Sequence, residues 1–154
     1  MNETEPKQPW LPPRWFIHLA WKVHRGLFRI TGGRFGLRRA KGDTYGLMRV
    51  TTIGRKSGRE HAVMLGYVDD GDDLVTMAMN GWGAPEPAWW LNLQAHPEVR
   101  VETRDADRTM RGRAADPSER ERLWKRWAEI DKNLDGYAAR RPTETAVVIL
   151  EPVS

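Results

Sequence analysis

The sequence predicts an α+β fold, an antiparallel β-barrel with flanking helices, on three observations. LMRVTTI (47–53), HAVMLGYV (61–68) and LVTMAM (74–79) read as strands and follow one another with only short connections, the order of a meander. VRVET and RTMRGRA alternate around the turn Asp105-Ala106-Asp107 as an antiparallel pair. Helical segments stand before, between and after these groups of strands rather than alternating with each one, which argues against a doubly wound parallel sheet.

Taken in order, residues 1–13 are polar and proline-rich and are expected to form a flexible tail, with a single domain over 14–154. From Arg14 the chain becomes amphipathic. Trp15, Leu19, Val23, Leu27 and Ile30 recur near helical spacing, His18, Lys22, Arg25 and Arg29 fall between them, and Gly32-Gly33 is the stop. Asp69-Asp70-Gly71-Asp72-Asp73 reads as a tight, solvated hairpin turn; it lacks the alternating ligands and closing Glu of an EF-hand. After Asn80 comes a Gly/Pro loop, then a short helix in PAWWLNLQA, ended by His96-Pro97. Asp116-Pro117-Ser118-Glu119 is a capping box with proline at the first helical position, and Leu123, Trp127 and Ile130 mark a buried stripe behind it. TAVVIL (145–150) is a continuous apolar strand, expected to be buried on both faces.

Composition narrows the function. At 154 residues the chain can bury a core without staples, and the absence of cysteine excludes disulfides, zinc ribbons, iron–sulfur clusters and thiol nucleophiles. The opening residues lack the pattern of a secretory leader, and no run approaches the roughly 20 apolar residues that span a bilayer, so a cytoplasmic protein is expected. His18, His24, His61 and His96 have no metal-ligand spacing, and no metal site is expected. Charge is uneven: residues 1–60 hold 13 Lys/Arg against 4 Asp/Glu, whereas residues 61–154 hold 12 against 17. A basic first half suits a phosphorylated ligand, an anionic membrane or nucleic acid, and equally a solvated surface.

The sharpest local signal is TTIGRKSGRE (51–60). A strand ends, glycine allows a tight turn, and Arg55, Lys56 and Ser57 are presented together before a second glycine. Guanidinium, ammonium and turn N–H groups can cradle a phosphate. It is not a nucleotide P-loop, because the order is Lys-Ser-Gly and a strand follows. Alone, this loop is equally well read as a basic surface hairpin.

Together with its neighbours it says more. TTIGRKSG, LVTMAM, PAWWLNLQAHPEVRV and the terminal AVVILEP, in this order and spacing, resemble the deazaflavin-dependent nitroreductase family of F420-binding split β-barrels, over roughly residues 25–152. The resemblance implies an FMN-binding split barrel-like fold and an F420-dependent oxidoreductase. On that resemblance it would pass a hydride from reduced deazaflavin to a small organic acceptor: an activated alkene, enone, quinone or nitro compound. It further implies that Arg55, Lys56 and Ser57 hold the coenzyme's phosphate, within a cofactor-binding stretch that takes in Thr52, Gly54, Gly58 and His61. Met77, Ala78, Met79 and Asn80 would lie along the deazaflavin ring, and Val63, Met64 and Leu65 would line the same pocket. Pro87, Trp89 and Asn92 would belong to the helix that closes it. F420 also carries a polyglutamate tail, for which Arg34, Arg38, Arg39 and Lys41 are expected to provide charge.

The chain departs from the family pattern at His61, where a basic residue is frequent, and at Met79-Asn80, where a Ser-Lys pair is frequent. Of a tyrosine cluster near the last helix only Tyr137 matches, Asp131 and Leu134 standing at the other positions. Tyr137 is thus the sole candidate catalytic acid. A deazaflavin brings its own hydride chemistry, in keeping with a sequence that shows no Ser-His-Asp set and no paired carboxylates. Alternatives at this stage are an FMN-binding barrel and a non-catalytic F420 carrier. Nucleic acid is not expected as a partner, whereas Trp15, Trp21 and Phe28 on a basic helix suit a peripheral membrane contact. Monomer and homodimer both remain open.

Overall fold

The computed structural model describes residues 13–19 and 36–153. Six strands, β1 (Gly46–Ile53), β2 (Glu60–Asp70), β3 (Asp73–Met77), β4 (Glu98–Glu102), β5 (Asp107–Ala114) and β6 (Val147–Pro152), pair antiparallel throughout. Their order, β1-β2-β3-β6-β5-β4, closes on itself into a barrel when β4 returns to β1 through Arg49↔Glu102, Val50↔Val101 and Thr51↔Arg100. Among the residues after Gly36, three helices accompany them, α1 (Ala88–Ala95), α2 (Pro117–Ile130) and the short α3 (Leu134–Ala138), and residues 14–19 are also helical.

Alternation along the strands divides the apolar residues between two cores. Met48, Val50, Tyr67, Leu74, Val99, Val101, Met110, Val148 and Leu150 point into the barrel, and α1 adds Trp89, Trp90 and Leu93 to them. Val68, Val75, Met77, Val147 and Ile149 face outward, where Leu123 and Trp127 of α2 and Leu134 of α3 cover them. The continuous apolar run of β6 is thereby explained. Val148 and Leu150 serve the inner core, Val147 and Ile149 the outer, and all four are buried. Tyr45 stacks on Trp127 at a ring separation of 4.7 Å, tying the approach to β1 to α2.

Several expectations need correction. The third strand ends at Met77, not Met79, because the chain turns at Asn80–Trp82 into a 3₁₀ turn with left-handed backbone at Asn80 and Trp82. β6 begins at Val147, since Thr145 is drawn aside by a buried arginine. The acidic turn is not merely solvated: Arg122 of α2 donates to both carboxylate oxygens of Asp70 at 2.9 Å and holds that carboxyl below the usual range. Within it only Gly71 takes a positive φ, +61°. α3 is too short for periodicity to reveal. Of the N-terminal stripe, Trp15 and Leu19 are described and both are exposed, whereas Arg14 and Ile17 lie against the turn at Asn80–Gly83; residues 1–12, 20–35 and 154, with the Gly32-Gly33 stop and Arg34, lie outside the described residues.

The capping box of α2 forms as read. Asp116 accepts from the Glu119 N–H at 2.9 Å, and the Glu119 carboxylate accepts from the Asp116 N–H at 3.1 Å. Arg113 of β5 grips that carboxylate at 2.7 and 2.8 Å and, with the cap N–H, pulls the Glu119 carboxyl down to about 2. Its stabilising effect is complete above the ordinary carboxylate range and is lost as pH falls toward 2. Urea midpoints measured from pH 5 to 2 should therefore fall less steeply for Glu119→Gln than for the native chain; parallel profiles would remove this carboxylate from the acid response.

Candidate functional site

The connection between β1 and β2 is a compact hairpin loop. Gly54 N–H donates to Arg59 O at 2.8 Å, Gly58 N–H returns to Gly54 O at 2.9 Å, and Arg59 N–H reaches Ser57 Oγ at 3.2 Å. Gly54 is required by close approach. A Cβ there would sit 2.5 Å from Ser57 Oγ and 2.9 Å from His61 Nε2, two atoms themselves 3.3 Å apart. Register places Thr52 opposite His61, so the buried threonine, the serine and the histidine share one mouth of the barrel.

α1 closes that mouth. Trp89, Trp90 and Leu93 enter the inner core, and this turns Asn92, also buried, onto the loop. Asn92 Oδ1 accepts from the Arg55 N–H at 3.1 Å and from Arg55 Nη1 at 3.0 Å, while its amide nitrogen lies 3.4 Å from Thr52 Oγ1. A neutral amide thus orients Arg55 without neutralising it. Arg39, Arg49, Arg100, Arg113, Arg120, Arg122 and Arg141 each pair with a carboxylate. Among the described residues no ion pair reaches Arg55, Lys56 or Arg59, as also at Arg38 and Arg126, which donate to backbone carbonyls. Three exposed cations on one ordered loop, with a hydroxyl and an imidazole beside them, form a local positive field suited to an anionic group.

The remaining expected residues are distributed unevenly. Val63 and Leu65 pack on the inner core, so Met64 between them points to the opposite face; the three do not line one pocket. Met77 is buried beneath the outer helices and Ala78 in the inner core, so neither side chain is open to a ligand. Ala78 N–H pairs with Ala146 O, and its carbonyl accepts from Arg141. Met79 and Asn80 are half-buried on the segment leading to Pro87, which is buried at the start of α1. Tyr137 is half-buried and stacked on Trp82, ring centroids 5.9 Å apart, with the Arg140 guanidinium 6.0 Å from its ring centre.

Arg38, Arg39 and Lys41 do not adjoin the loop. The Arg38–Leu47 bridge sets them at the Gly46 end of β1, about 23 Å of strand from Gly54 at roughly 3.3 Å per residue. There they border an open basic dish with Thr44 and Arg104, and Arg39 is already paired with Asp105. Nearness in sequence misled here, because an extended strand carries the chain away from its neighbours.

Two side chains near the site carried no readable signal. Arg141 is wholly buried, pairs with Glu86 at 3.1 Å and binds the segment before α1. Arg14 donates to Asn80 O at 2.9 Å from the opposite side. In sequence Arg141 is one of an Arg-Arg pair before a proline, with nothing to distinguish it from surface charge.

The six-stranded closed barrel, with a cationic loop at its mouth and a helix seated on that loop, is of the split-barrel class. Residues 21–152 match the F420H2-dependent quinone reductase family, and the chain belongs to that family. An F420H2-dependent quinone reductase of Mycobacterium tuberculosis H37Rv is 29% identical over 132 residues, 84% of this chain and 87% of the relative. Among solved structures, an F420H2-dependent reductase superimposes with a TM-score of 0.62 at 28% identity, covering 68% of this chain and 93% of that one. A chain described as a domain-swapped dimer gives 0.66 at 26% identity, covering 88% and 98%. The protein is an enzyme, an F420-dependent reductase acting on a small molecule. No helix among the described residues is long and apolar enough to cross a membrane.

If the loop anchors the coenzyme's phosphate, Arg55→Ala should weaken F420 binding about tenfold to a hundredfold, the loss of one charge-assisted contact. Fluorescence titration of the folded variant checks this. Unchanged affinity would move the anchor elsewhere.

Proposed function

We propose that this enzyme reduces quinone-type acceptors with reduced F420, its phosphate held by Arg55, Lys56 and Ser57 and its ring beside Met79 and Asn80. The observation that carries this reading is the cationic loop, uncompensated by any described carboxylate and oriented through Asn92 by the helix that closes the barrel. Gly54 keeps the cradle open where a side chain would fill it, and Thr52, Gly58 and His61 shape its base.

Bound reduced F420 supplies a hydride. The protein's share is to bind, orient and exclude water. Trp82 and Trp89 are buried on either side of the segment that leads into α1, which supports a dry approach to the ring. A quinone that accepts a hydride on its ring needs one further proton to become the hydroquinone. Met79 and Asn80 offer no acid for this step. In this reading Tyr137 serves through its ring, stacked on Trp82 beside Arg140. Water is therefore the proton source in this reading, and acceptors whose reduced form is a stabilised anion are favoured: quinones first, enones, activated alkenes and nitro compounds after them. The relative described as a domain-swapped dimer makes a homodimer the assembly to look for.

Titration against F420 and FMN should show tighter binding of F420, and reduced F420 should be oxidised faster by a simple naphthoquinone than by an enone or nitroarene. Equal or tighter FMN binding would defeat the coenzyme assignment, and a reversed acceptor order the quinone assignment. Tyr137→Phe should lower turnover only a few-fold with coenzyme affinity retained. A general acid contributes about 10²–10⁴-fold, so a hundredfold loss with binding intact would make Tyr137 the proton donor.

A further inference from the structure

Between β3 and α1 the chain runs through a largely irregular segment, residues 78–86, interrupted only by the 3₁₀ turn at Asn80–Trp82. Asn80 and Trp82 hold φ of 49° and 62°, backbone that non-glycine side chains adopt only when their surroundings impose it. The surroundings here centre on Arg141. Its guanidinium has five N–H donors, and the structure supplies five acceptors. Nε donates to Gly83 O at 2.9 Å; Nη1 donates to Ala78 O at 3.1 Å and Thr145 Oγ1 at 2.8 Å; Nη2 donates to Pro85 O at 3.4 Å and Glu86 Oε1 at 3.1 Å. The Arg141 side chain is 0% exposed, and its charge is met by Glu86, the residue at which the segment ends.

The consequence lies in which way the peptide groups turn. The carbonyls of Ala78, Gly83 and Pro85 are drawn to Arg141, and that of Asn80 to Arg14. The N–H groups of Trp82 and Gly83 close the 3₁₀ turn, whereas among the described residues no backbone carbonyl accepts from Met79, Asn80, Gly81 or Ala84. An edge whose carbonyls are claimed and whose N–H groups are not is a donor edge, complementary to the carbonyl-bearing rim of a flavin-like ring.

We propose that Arg141 is a positioning residue for the coenzyme site: by collecting the carbonyls of residues 78–86 it orients that segment's N–H groups toward the ring. The inference rests on the reading that this segment borders the F420 ring. Lysine cannot replace it, since a single ammonium with three donors does not span five acceptors spread over a planar fork.

Arg141→Lys keeps the charge opposite Glu86 and is the test. In coenzyme-free protein, amide hydrogen exchange across residues 78–86 should speed up at least tenfold, while the β-strands stay protected. F420 affinity should fall tenfold or more, and the absorption band of the bound coenzyme should move toward that of free coenzyme. Arg55→Ala, acting through the phosphate, should weaken binding without moving that band. If the native protein binds F420 and Arg141→Lys leaves exchange, affinity and band unchanged, the proposal is overturned and the coenzyme reading stands. If the native protein does not bind F420, the coenzyme reading fails and takes this inference with it. Should Arg141→Lys not fold, Thr145→Val removes one acceptor at nearly constant volume. A two- to fivefold loss of affinity with faster exchange at 78–86 then supports the proposal, and native values for both overturn it.

Discussion

Closing six antiparallel strands into a barrel gives every strand two obligations, and the rest of this structure depends on meeting both. One face must fill the barrel and the other must either meet water or be covered. β3 and β6 are apolar on both faces, and this is why α2 and α3 lie where they do, over Val75, Met77, Val147 and Ile149. The outward faces of β1 and β4 are mixed, with Arg49 of β1 paired to Glu102 of β4 across the seam and Arg100 paired to Glu102 along β4. The helices are placed by the strands, not the reverse. α1 follows the same logic at the barrel's mouth, because Trp89, Trp90 and Leu93 enter the inner core and leave Asn92 directed at the loop between β1 and β2.

The arginines serve different ends according to what lies within their reach. Where a guanidinium meets a carboxylate at the surface, as in Arg122–Asp70, it ties one element to the next and contributes little more than orientation; the half-buried Arg113–Glu119 pair also reinforces the helix cap. Where it is buried, as at Arg141, every donor must be matched, and the match determines the path of the backbone around it. Where it faces only a neutral amide, as at Arg55, its charge remains available to a ligand. The same residue type thus serves as strut, template and binding group according to what lies within reach.

Membership of the F420H2-dependent quinone reductases accounts for the sparse acid–base equipment of the site. Hydride chemistry belongs to the coenzyme, and in the proposed reading the barrel contributes a loop for its phosphate, a shaped backbone edge and apolar walls. Tyr137 is engaged through its ring with Trp82. Its aromatic contact helps hold the segment that Arg141 also grips, so the turn after α3 works as a platform for the region between β3 and α1.

By itself the sequence determined the strands, the capping box of α2, the short helix of PAWWLNLQA and the cationic hairpin, because each is written in local periodicity or turn chemistry. It also determined the family, through motifs whose order and spacing are one-dimensional. Only the tertiary structure decided what those elements face. Alternation splits Val63, Met64 and Leu65 between two sides of one wall, and eight residues of extended β1 separate Arg38, Arg39 and Lys41 from the loop they nearly adjoin in sequence. Asn92 reaches Arg55 across 37 positions, and Arg141 reaches Ala78 across 63. The strength of such contacts depends on burial and on the direction of individual donors, quantities that exist only once the barrel has closed, and no pattern along the chain encodes them.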